Sequence, residues 1–273
     1  MFGKKKSESS SSAKGMSPIG KDLSFAASEA YKLLRTNLFF SVPPGDVGRV
    51  VGITSSVRGE GKSTTTINLA YALAVSGKRV ALIECDMRLP VLATRLEIDP
   101  TPGLSNLLAG LSAARDVLRE SGLHKNLKVV PAGDVPPNPS ELLGSDRMKL
   151  ITETLVQEFD FVFVDLPPIM AVSDALVASS FLDAMIVVVR QDVCTRGMLR
   201  ETMRQLSVVG DKVIGFVFTC ARAEKRSYYY RRKYYRYGGS YGYGYGYGYG
   251  YGSSHHRSRS HKSGEGLTSD ANH

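Results

Sequence analysis

The segment RVVGITSSVRGEGKSTTT, residues 49–66, constrains this chain more than any other. It reads as a short apolar strand, a loop of small residues and the start of a helix. Backbone N–H groups can wrap an anion where side chains are small, and the first turn of a helix adds unsatisfied donors and a positive dipole end. The spacing Ser56-x-x-x-x-Gly61-Lys62-Ser63 is that of a phosphate loop, with Ser56 where a glycine usually stands. In such a loop the lysine reaches the β- and γ-phosphates and the hydroxyl ligates Mg²⁺. A nucleotide site follows from this context.

That loop belongs to a sheet of alternating strands and helices, and the residues from about Ser24 to Cys220 supply one. Helical spacing in FAASEAYKLLRTNLFF precedes the strand RVVGIT and the helix KSTTTINLAYALAVSG, which closes on Gly77. The strands RVALIEC and LKVVPAG follow, then a helix around SELLGSDRMKLITETLVQEF. The strands FVFVD and AMIVVVR, the helix TRGMLRETMRQLSVVG and the strand KVIGFVF complete the run. Continuous apolar strands separated by helices predict an α/β, doubly wound, mostly parallel sheet covered on both faces. Ligands of such sheets bind at the carboxyl ends of the strands. Two of those ends are acidic, with Glu84 and Asp86 after VALI and Asp165 after FVFV. A carboxylate there suits holding Mg²⁺ or taking a proton from an attacking hydroxyl.

The ends differ from this body. Residues 1–23 are rich in Ser and Lys with little to bury, and are expected to be disordered. No signal-peptide core and no membrane-length apolar run is present, and Cys85, Cys194 and Cys220 match neither a zinc site nor a disulfide framework, so a reducing cytoplasm is expected. Residues 24–220 form the predicted domain, and 221–273 a flexible basic tail rich in Tyr and Gly. Twelve of the fourteen tyrosines lie there: Tyr228, Tyr229, Tyr230, Tyr234, Tyr235, Tyr237, Tyr241, Tyr243, Tyr245, Tyr247, Tyr249 and Tyr251. The formal net charge is +9, and residues 220–263 alone hold ten Lys and Arg against Glu224. The basicity therefore sits in the tail.

The phosphate loop, the two acidic strand ends and the tyrosine tail together resemble the bacterial protein-tyrosine kinase family, in its free-standing form associated with capsule and exopolysaccharide synthesis. The resemblance runs from about Ser28 to Tyr251 and also takes in PAGDVPPNPSELL and EAYKLLRTNL. It implies an ATP- and Mg²⁺-dependent tyrosine kinase that phosphorylates its own tail. Gly59, Glu60, Gly61, Lys62, Ser63 and Thr64 would hold the nucleotide; Ser63, Asp86 and Asp165 the metal; and Lys62, Asp86, Glu84 and Asp165 would form the catalytic set. Glu84 departs from the Asp usual at that position, Lys32 from an Arg in the contact motif Glu29-x-x-Lys32-x-x-Arg35, and Thr219 from an Asn near the adenine. The helix carrying that motif implies a ring-like homo-oligomer. A transmembrane polysaccharide chain-length regulator is the implied activator, which would put the kinase at the inner face of the membrane. Phe216 and Phe218 are read first as core residues and second as contacts for that partner.

Two other readings compete. A partitioning or positioning ATPase shares the fold but carries a signature lysine in K-G-G-x-G-K, where this chain has Val57 followed by Arg58. A non-enzymatic interaction module would use the tail, whose aromatics and arginines can stack on bases and track phosphates. Beside a kinase-type nucleotide site the acceptor reading is favoured, and no specific nucleic acid is expected.

Overall fold

Seven strands line up in one sheet in a computed structural model that describes residues 17–42 and 45–221. In chain order they are β1 (Arg49–Ser55), β2 (Val80–Glu84), β3 (Arg119–Glu120), β4 (Leu127–Val130), β5 (Phe161–Asp165), β6 (Ala184–Arg190) and β7 (Val213–Thr219). Their spatial order is β3-β4-β2-β5-β1-β6-β7, and every neighbour pair is parallel except β3 with β4. The helices are α1 (Phe25–Ser41), α2 (Lys62–Val75), α3 (Leu92–Leu96), α4 (Leu104–Leu108) and α5 (Ala114–Val117). After β4 come α6 (Pro139–Leu143), α7 (Asp146–Glu158), α8 (Asp174–Ala178) and α9 (Arg196–Leu206).

Side chains on a strand alternate between faces, so each central strand feeds two cores. Val51, Ile53, Leu82, Phe161 and Phe163 pack with Leu38 of α1 and Ile67 and Leu73 of α2. Their sequence neighbours Val50, Val162, Val164 and Val187 pack on the other face with Leu104 of α4, Met148 of α7, Ala175 of α8 and Leu206 of α9. Burying a side chain of this size contributes about 1.5–3 kcal/mol.

The long elements start where local chemistry allows. Hydroxyls of Ser24, Ser145 and Thr195 accept from the amides of Ala27, Met148 and Met198 and so cap α1, α7 and α9. The run expected as one helix over 140–159 is two, because Gly144 ends α6 and Ser145 caps α7. The short helices α3, α4, α5 and α8 were not legible, since four or five residues carry no helical period.

Two expectations are corrected. Residues 17–23 of the segment expected to be disordered lie on the body: the Gly20 amide donates to Asn68 Oδ1 at 2.9 Å, and Asn68 Nδ2 donates to the Pro18 carbonyl at 3.3 Å. Asn68 is fully buried in α2, and this short strand of polar contacts satisfies its amide. Phe216 and Phe218 are not core residues; they stand 42% and 62% exposed. β7 ends the sheet with a neighbour on one side alone, and no residue of it is buried.

Candidate active site

The phosphate loop joins β1, the strand between β5 and β6, to α2. Gly61 caps α2 with φ 91°, and Gly59 lies at φ 87°; both are left-handed conformations that glycine adopts without strain. Glu60 between them is buried, and its carboxylate accepts from the amides of Val57 at 2.7 Å and Arg190 at 3.2 Å. The loop carbonyls are anchored as well. Thr219 Oγ1 donates to the Glu60 carbonyl at 2.7 Å, and an Arg190 guanidinium nitrogen donates to the Gly59 carbonyl at 3.2 Å. These two contacts tie the loop carbonyls of Gly59 and Glu60 to β6 and β7.

Lys62 opens α2 and answers two strand ends at once. Its Nζ lies 2.9 Å from Asp86 Oδ2 and 3.5 Å from Asp165 Oδ2, and it also reaches Ser63 Oγ at 3.4 Å. Asp165 is fully buried, at the carboxyl end of β5. Burial works against the Lys62 charge, but Asp165 and Asp86 outweigh it and hold the ammonium above its ordinary pKa. Burial also raises the Asp165 carboxyl, with Lys62 and Ser63 pulling it back. Lys62, Ser63, Asp86 and Asp165 are thus brought together.

Glu84 is held elsewhere. It lies in register beside Asp165 on the neighbouring strand, yet its carboxylate accepts from the amides of Val91, Leu92 at 2.7 Å and Ala132 at 3.3 Å. Burial pushes its pKa up to about 7, against the pull of the Leu92 and Val91 amides. One side chain therefore ties the start of α3 and the end of β4 to β2. The sequence marked it as a strand-end acid and gave no signal for that structural duty.

The arrangement fits a nucleoside phosphate with Mg²⁺. A glycine-bracketed helix start and Lys62 supply positive charge for phosphates, and Ser63, Asp86 and Asp165 are the hard oxygen donors Mg²⁺ takes. Among the described residues no group of three or more His, Cys, Asp or Glu could hold a metal unaided.

Comparison with known proteins agrees with this chemistry. Residues 48–212 match the family described as AAA domain. The tyrosine-protein kinase YwqD of Bacillus subtilis is 34% identical over 202 residues, covering 74% of this chain and 84% of the relative. The chimerical protein CapA2B2 superposes with a TM-score of 0.67 at 30% identity, over 71% of this chain and 85% of the other. The kinase domain of Escherichia coli tyrosine kinase ETK does so at 0.66 and 30% identity, over 80% of each. This chain belongs to the bacterial tyrosine-protein kinase family.

Within this kinase the three departures have definite places. Thr219 spends its hydroxyl on the loop carbonyl of Glu60. Glu29 and Lys32 pair with each other at 2.7 Å on the exposed side of α1, and Arg35 Nη1 donates to the Ala72 carbonyl of α2 at 3.0 Å. Tyr31 and Tyr71 pack against the core, Tyr71 edge-on to His124. The tail tyrosines, Tyr228 to Tyr251, lie outside the described residues. Among the described residues no helix is long and apolar enough to cross a membrane.

Proposed function

We propose that this kinase uses Mg·ATP to phosphorylate its own C-terminal tyrosines, mainly between subunits, and thereby regulates capsular or exopolysaccharide synthesis and export. The observation that carries the reading is the Lys62 ammonium held between Asp86 and Asp165 at the mouth of a phosphate loop. In the proposed step a phenolic oxygen bonds to the γ-phosphorus, the bond from that phosphorus to the bridging oxygen breaks, and ADP leaves. Asp86 takes the phenolic proton, Lys62 neutralises charge on the transferring group, and Ser63 and Asp165 hold Mg²⁺. Glu84 acts by fixing the walls of the site, not by touching the substrate. The loop reading against a partitioning ATPase stands on Val57 and Arg58, which supply no signature lysine.

The tail has the composition such a reaction needs. A Gly-alternating string offers many acceptors that can reach a neighbouring site at little added entropic cost. Each phosphate adds about −1.5 to −2 charge, so roughly five or six offset the basic excess of the tail. Phosphorylation would then weaken attraction to acidic surfaces and reset the assembly.

A ring-like oligomer through Glu29, Lys32 and Arg35, and a transmembrane chain-length regulator as activator at the inner face of the membrane, complete the proposal. Exposed apolar side chains support an assembling surface: Phe25, Leu33 and Phe40 on α1, and Phe216 and Phe218 on β7. A mixing experiment tests the reading. Chains with Lys62→Met and an intact tail are mixed with active chains whose tail tyrosines are all Phe, with Mg·ATP and with or without the regulator's cytoplasmic peptide. Phosphotyrosine on the Lys62→Met chains is expected; none there would overturn transfer between subunits.

A further inference from the structure

The kinase reading leaves one cation beside the phosphate loop without a role. Arg95 on α3 reaches back over the first turn of α2. One Nη donates to Thr64 Oγ1 at 2.8 Å, and the other donates to the Ser17 carbonyl at 2.8 Å. The remaining donor, Nε, is buried and has no hydrogen-bond partner. The guanidinium is half-buried, which lowers its pKa while Asp165 pulls it upward, and an arginine in that setting stays charged.

The consequence falls on the Thr64 hydroxyl, which has a single proton. A threonine in a helix commonly gives that proton to the carbonyl four residues back. Thr66 does so, donating to the Lys62 carbonyl at 2.8 Å. For Thr64 the corresponding carbonyl is that of Glu60, which accepts instead from Thr219 Oγ1 at 2.7 Å. Arg95 meanwhile fills an acceptor site on Thr64 Oγ1. Among the described residues the Thr64 proton has no acceptor, and it sits two residues from the lysine of the phosphate loop.

We propose that Arg95 is a positioning residue for nucleotide phosphate. It holds Thr64 as a donor toward a phosphate oxygen. The N-terminal segment is part of the device, since the Ser17 carbonyl fixes the far side of the guanidinium and Asn68 holds Pro18 and Gly20 in place. The inference rests on the reading of this loop as a nucleotide site and extends it to a residue on another helix. Nothing in the sequence pointed to it: Arg95 lies thirty-one positions from Thr64, on a helix of one turn.

The test is a thermodynamic cycle on Mg·ADP affinity, measured by calorimetry on the full chain for wild type, Arg95→Met, Thr64→Val and the double variant. Thermal midpoints without nucleotide are recorded alongside. A hydrogen bond to a charged group is at stake, so each single change is expected to weaken Mg·ADP binding by about tenfold. Because both act through one hydroxyl, the double variant should bind within about threefold of the weaker single variant. Arg95→Lys keeps a charge and a donor and should recover part of the loss; if Arg95→Met does not fold, the cycle is run with Arg95→Lys. Losses that multiply to about a hundredfold would overturn the inference, because Arg95 would then act independently of Thr64. Unchanged binding in the Arg95 variants would overturn it alone, and a wild type that does not bind Mg·ADP would sink the nucleotide reading with it.

Discussion

Two regions of this molecule handle charge and apolar surface in opposite ways. At the corner where β1, β2 and β5 end, Asp86, Asp165, Glu60 and Glu84 are buried and each has a partner within the chain. Along the rim formed by α1 and β7, the Glu29–Lys32 pair is half exposed to solvent while Phe40 and Phe218 stand 82% and 62% exposed. Buried charges are expensive unless paired, so a fold retains four carboxylates in one corner only where their partners are built in. Exposed phenylalanines contribute little to the isolated fold and mark a surface that gains by being covered. The corner therefore holds its charged residues together by contacts within one chain, and the rim carries the surface proposed for assembly.

The largest effect should come from breaking the corner. Lys62→Met removes the cation between Asp86 and Asp165, and phosphotyrosine formation should fall by about a thousandfold or more. Wild-type levels in that variant would show that the corner is not the engine. Asp86→Asn should abolish transfer with the smaller loss of stability, since Lys62 keeps Asp165 as a partner, whereas Glu84→Ala should cost about 3 kcal/mol because three backbone amides lose their acceptor. Equal behaviour of the two variants in both assays would erase the distinction between them.

Glu84 also gives a pH signature. Its carboxyl is raised from 4.5 to about 7 in the folded chain, so the native state binds the extra proton between those values. Its contribution to stability is fully present below pH 4.5 and is lost as pH rises through 7. The span corresponds to about 3 kcal/mol. Urea titrations from pH 4.5 to 7.5 should show that decline, and Glu84→Gln should lack Glu84's share of it. A slope unaltered by the substitution would assign it to other groups.

The rim should respond in the opposite sense. Phe216→Ser and Phe218→Ser are expected to change stability by less than about 1 kcal/mol, since neither side chain is buried. Stimulation by the regulator's peptide should nevertheless be lost, as phosphotyrosine rates with and without it would report. The smallest effect on the isolated chain belongs to Lys32→Ala, within about 0.5 kcal/mol for an exposed pair. Its sedimentation profile should still shift toward smaller species, and an unchanged profile would remove α1 from the proposed contact.

Much of the corner was readable because its chemistry is local. A strand, a small-residue loop and GKST are contiguous, and each acidic strand end follows an apolar run. The duties of Glu84 and Glu60 were not readable, because their partners are backbone amides of residues such as Leu92, Ala132 and Arg190, which have no side-chain signature. The exposure of Phe216 and Phe218 was missed for a related reason. An edge strand and a central strand carry similar apolar residues, and the order of strands in the sheet decides which faces are covered. Residues 17–23 read as unfolded by composition, while a buried Asn68 on another element holds them.

The most direct measurement of the central claim is phosphopeptide mapping of the full chain after incubation with Mg·ATP, for wild type, Lys62→Met and Asp165→Asn in parallel. The account predicts several phosphotyrosines among Tyr228 to Tyr251 in wild type and none in either variant. Phosphate confined to other positions, or a tail modified equally in all three proteins, would contradict it.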